Sequence, residues 1–87
     1  MKIKEGFLLR EVGGEYIVVA VGRASAEFNG VIKLNGTCAE IWKLIEQGLD
    51  ENEIANALCE RYDVDAEKAL ADVRGIVAKL TESGVIE

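Results

Sequence analysis

Ser25, Thr37, Ser83, Cys38 and Cys59 offer nucleophiles, but none has a histidine partner, because the chain contains no histidine. Histidine-based triads are therefore excluded. A reactive thiolate needs positive surroundings and some exposure. Cys38 falls among Ile41, Trp42 and Ile45, and Cys59 follows Leu58, so both read as small core-lining residues. A structural zinc site needs four ligands of suitable type and spacing, and two cysteines with no CxxC do not supply them. Both thiols are expected to be reduced, with a Cys38–Cys59 disulfide the less favoured alternative. The 16 acidic residues fall mainly at helix starts and on polar faces, where they cap and solubilise. Gly13-Gly14 is followed by Glu15 rather than by a helix carrying Lys and Ser or Thr, so it is no phosphate loop. Nothing in these residues asks for a cofactor or a metal.

The elements that must position these residues come in two blocks. Phe7–Val12 and Glu15–Gly22 are β-rich runs joined by Gly13-Gly14, a hairpin signal because both glycines tolerate positive φ. The second run is almost wholly apolar and suits a central strand. Arg23–Gly30, polar and small around Phe28, reads as a loop, and Val31–Leu34 as a short third strand at the edge of a meander. From Asn35 the period becomes helical. Thr37 and Glu40 have capping-box spacing, Cys38, Ile41, Trp42 and Ile45 form an apolar face, and Gly48 is a stop. Trp42 reads as core, its indole N–H needing an acceptor if buried. Asp50 with Glu53 caps a second helix, flanked by a Leu49–Ile54 staple. Asp65 caps a third and longest helix that ends at Gly84, leaving Val85-Ile86 to fold back on the core. Gly75 inside that helix costs about 1 kcal/mol relative to alanine and needs a reason. Strands followed by helices make an α+β fold, winged-helix-like, with a three-stranded antiparallel sheet packed on a three-helix bundle.

A chain of 87 residues suffices for a single domain, 1–87, with one core. No apolar run approaches the roughly 20 residues that span a bilayer, and the N-terminus lacks a signal-peptide pattern. A cytoplasmic protein with no membrane partner is expected. The net charge of −6, with basic residues scattered along the chain, argues against nucleic acid.

Leu34-Asn35-Gly36-Thr37-Cys38-Ala39-Glu40-Ile41-Trp42-Lys43-Leu44-Ile45 resembles the central signature of the PqqD-like family: a leucine-asparagine pair, a small-residue turn, then an apolar pair. Glu53-Ile54-Ala55, Leu58, Tyr62-Asp63-Val64, Asp72-Val73 and the closing Leu80–Ile86 are also similar to it, so the likeness runs from about Gly6 to Glu87. Cys38 stands where relatives often carry glycine or another small residue, and the Arg23–Gly30 loop is longer than in many of them. The resemblance implies three antiparallel strands packed on three helices. It also implies a non-catalytic recognition element for ribosomally made precursor peptides. The leader would add as a strand to the third strand and pack against the third helix, for delivery to a modifying enzyme such as a radical SAM protein, cyclase or protease. Whether the pathway is that of coenzyme PQQ or another modified peptide stays open.

Strand addition takes affinity from main-chain hydrogen bonds and specificity from side-chain pockets. Val31, Ile32, Lys33 and Leu34 would supply the edge. On the third helix Ala69, Asp72, Ile76 and Leu80 lie toward one margin of the apolar face, and Arg74 and Ala78 toward the other; the first margin, with Val73 of the same face, is assigned to the peptide. Ile76 is assigned to the peptide, ordinary core being its alternative. An edge able to pair with itself leaves monomer and weak homodimer open. Two rival readings remain: a winged-helix DNA-binding regulator, which expects cations at the start of the recognition helix, and a general protein–protein adaptor.

Overall fold

The computed structural model describes residues 1–27 and 30–87. Strands β1 (Phe7–Val12) and β2 (Glu15–Ala20) form the expected hairpin. Gly13 and Gly14 sit at φ 58° and 82°, the left-handed pair that lets a two-residue turn follow the twist of the strands. The chain then passes through α1 (Ala24–Glu27) to β3 (Ile32–Leu34) and into helices α2 (Gly36–Glu46), α3 (Glu51–Arg61) and α4 (Ala66–Glu82). The sheet order is β1-β2-β3, all antiparallel, so β2 is central and β3 an edge.

The elements differ from the sequence reading in places: β2 stops at Ala20 rather than Gly22, and β3 starts at Ile32 rather than Val31. The segment expected as a loop from Arg23 holds the short helix α1, where Ser25 Oγ donates to the Gly22 carbonyl at 2.6 Å; Phe28 and Asn29 of that loop lie outside the described residues. The capping box expected from Thr37 and Glu40 does not form. Asn35 is the N-cap of α2, its Oδ1 accepting from the Cys38 amide at 2.8 Å. Asparagine caps at least as well as threonine, and capping two residues earlier lets Gly36 and Thr37 join the first turn. Glu40, released from capping, pairs with Arg61 of α3.

The other caps follow the local signals. Asp50 and Glu53 make a reciprocal capping box on α3, and Asp65 Oδ1 accepts from the Lys68 amide on α4. Helices α2 and α4 end in the same way. In each a glycine with positive φ, Gly48 or Gly84, donates to the carbonyl three residues back (2.9 and 3.0 Å). The following residue, Leu49 or Val85, donates across it to Leu44 or Leu80. This double bond pattern satisfies carbonyls that a helix end otherwise leaves open.

One core cluster joins the sheet to the helices. Alternation along the strands turns Phe7, Val18, Ile32 and Leu34 inward, onto Ile41, Trp42, Ile54, Leu58, Val73 and Leu80. The tail closes it: Val85 and Ile86 are buried, Ile86 bridges to Ile3, and Glu87 N donates to the Lys2 carbonyl at 2.9 Å. Among the described residues no helix is long and apolar enough to cross a membrane.

Candidate functional site

The register decides which backbone groups of β3 are free. Val21 N donates to Gly6 O at 2.7 Å, so the odd-numbered residues of β2 bond toward β1 and Tyr16 and Val18 bond toward β3. Their partners Leu34 and Ile32 thus spend their main-chain groups on the β2–β3 ladder. Lys33, between them, turns its N–H and C=O to the open edge, as does Val31 by the same alternation. Val31 itself lies just outside the strand, which starts at Ile32, and is 54% exposed.

The edge leads into a groove of about 450 Å³ between the first turns of α2 and the middle of α4. Asn35, Thr37, Cys38 and Ile41 form one wall; Ala71, Asp72, Gly75, Ile76 and Lys79 form the other. The spacing of three and four residues on α4 places its five on one helical face. Ile41 and Ile76 make an apolar floor, the half-buried Cys38 thiol lies beside them, and Asp72 and Lys79 stand at the rim. Asp72 faces Lys68 at 3.8 Å, an exposed pair worth little. A Cβ built on Gly75 would meet nothing within 4 Å, so this glycine is not there for close packing within the chain.

The residues singled out from sequence divide. Ile32 and Leu34 point their side chains into the core and Lys33 points its own outward. Asp72 and Ile76 line the groove, whereas Ala69, Val73 and Leu80 are at most 1% exposed and sit beneath it. Ile76, at 8% exposure, belongs to both core and groove wall. Arg74, on the other margin, reaches toward Glu51 of α3 at 3.7 Å. Of the groove lining, the sequence reading had singled out Asp72 and Ile76; it gave Asn35, Thr37, Cys38 and Ile41 to helix α2 and its core, and did not single out Ala71 or Lys79. The signal it held was Gly75, a helix-interior glycine adjoining Ile76 and four residues from both Ala71 and Lys79.

The family model for coenzyme PQQ synthesis protein D (PqqD) matches residues 5–86. The chain belongs to the PqqD family. Two solved structures share its fold. One is TbiB1 in complex with the TbiA(beta) leader peptide, 24% identical, covering 100% of this chain and 95% of that one at a TM-score of 0.81. The other is lasso peptide synthetase B1 complexed with the leader peptide, 21% identical, covering 99% and 95% at 0.82. No curated protein matches. The PqqD family match spans the edge strand and both helices of the groove, so the site lies wholly within the shared domain.

Proposed function

We propose that this chain is a non-catalytic, cytosolic peptide-binding module. It takes the leader of a ribosomally made precursor as a fourth strand on β3 and delivers it to a modifying enzyme. The observation that carries this reading is the open edge at Val31 and Lys33 running into a groove floored by Ile41 and Ile76 and cleared by Gly75. Two PqqD-fold relatives whose structures hold leader peptides support it. Main-chain bonds to Lys33 and Val31 would set the register of the added strand. Side chains on its inner face would then reach Ile76 and Asp72, with Ala69, Val73 and Leu80 as the packed base that holds α4 in place. The nucleic-acid alternative is opposed by charge: Lys68, at the start of α4, is flanked by Asp65 and Glu67 and paired with Asp72.

The test is a fluorescence-anisotropy titration of a labelled candidate leader peptide against the protein. Saturable binding competed by unlabelled leader is expected. A leader that fails to bind folded protein at any workable concentration, or binding that appears only with DNA fragments and falls steeply with salt, would overturn the reading.

A further inference from the structure

The groove does not account for Lys33. It is the only charged residue of β3, and it turns both of its backbone groups to the open edge. Its side chain lies on the opposite face of the sheet from Ile32 and Leu34, away from the helices. Ile17 stands directly opposite it on β2, and Val31 shares its face by alternation. Glu15, diagonal to it on β2, is its ion-pair partner at 3.8 Å. The two side chains are 74% and 66% exposed, so this pair is worth little and leaves the ammonium free to meet another carboxylate.

An open edge beside Ile17 and Val31 is a template for a second copy of itself. Antiparallel pairing of two such edges through the Lys33 groups sets the two lysines opposite or diagonal to one another on one face. Like charges so placed are destabilising. A leader strand is free of that penalty. The residue it sets opposite Lys33 also points to the open face, and a carboxylate there completes a charged cross-strand pair. The rest of the chain favours this place for an acid. Residues 1–34 hold five of the ten basic residues but only four of the sixteen acidic ones. The helical part is therefore strongly negative, and on the groove rim Lys79 is offset by Asp72. An acidic peptide is repelled along the helices and meets its cation at the edge.

We propose that Lys33 is the charge filter of the edge: it bars a second copy of the chain and admits a leader that carries Asp or Glu opposite it. The inference rests on the leader-binding reading above and deepens it. Alternation fixes the flanking pattern. The residues before and after that acid turn to the helix face, where Ile41 and Ile76 offer an apolar floor. The recognised stretch is then an acid between two inward side chains, at least one of them apolar.

The experiment titrates a labelled candidate leader peptide against the full chain as parent, Lys33→Gln and Lys33→Glu. Copies of the peptide with each acidic residue in turn changed to lysine are titrated alongside. Position 33 is exposed, so both variants should melt with the parent. Lys33→Glu should weaken leader binding about fivefold, Lys33→Gln less, and the difference should shrink in 1 M salt. One lysine-substituted peptide should bind Lys33→Glu better than it binds the parent. Sedimentation of Lys33→Val without peptide should show a concentration-dependent dimer that the parent does not form. Equal binding by parent and Lys33→Glu, with no peptide position coupled to residue 33, would overturn the admission of an acid and leave the leader reading standing. So would a leader without acidic residues that binds the parent. A parent that binds no leader would overturn the leader reading and the admission together. A Lys33→Val protein that stays monomeric would overturn the bar to a second copy.

Discussion

At the scale of single residues, Gly75 and Trp42 make opposite contributions. Trp42 is fully buried and its Nε1 has no acceptor among the described residues, so its large apolar area is held against the cost of one desolvated donor. Gly75 weakens α4 and occupies open space. Gly75→Ala is therefore expected to stabilise the protein by about 0.5–1 kcal/mol in urea unfolding. Gly75→Leu should keep the helix but project into the groove and lower leader affinity. A leucine variant that binds leader as well as the parent would show that the peptide passes elsewhere. Gly75 also shows how far the sequence could be read. The glycine was conspicuous as a helix defect, but the groove it opens depends on Thr37 and Cys38, far away in the chain, which line the same groove only once folded.

At the scale of elements, caps and turns were legible because each is written in neighbouring residues. Gly13-Gly14, the Asp50–Glu53 box, Asp65, Gly48 and Gly84 all form as their local chemistry dictates. Asn35 was misjudged because two capping residues compete within three positions, and the choice is made by where β3 releases the chain. The edge strand offers a sharper test. Lys33→Pro removes an N–H that faces the open edge and leaves the β2–β3 ladder intact, a position where proline is tolerated. Ile32→Pro removes a ladder bond instead. Lys33→Pro should retain most of its thermal stability and lose leader binding, whereas Ile32→Pro should melt earlier. If Lys33→Pro binds leader normally, strand addition at this edge is wrong. The groove floor is harder to probe by substitution, since Ile76 also belongs to the core and Ile76→Asp would lower stability as well as affinity.

At the scale of the whole molecule, a chain of this size has one core and little surplus stability. The tail matters accordingly. Val85 and Ile86 are 0% and 5% exposed, and burying two such side chains is worth about 3–6 kcal/mol together. Deleting residues 85–87 should lower the melting temperature by tens of degrees, roughly 4–8 °C for each kcal/mol lost. A deletion that melts with the parent would mean that the core closes without its tail.

The same tail has a second consequence. Because Glu87 N–H meets the Lys2 carbonyl at 2.9 Å and Ile86 bridges to Ile3, the chain is nearly a ring. A few added residues could join the two ends, and new ends could be opened between Gly13 and Gly14, in a turn remote from groove and tail. Such a circular permutant would keep every ladder and cap described above while starting with β2 and finishing with β1. What the fold requires is then the set of neighbours each segment meets, and the order in which the segments are synthesised is free to change.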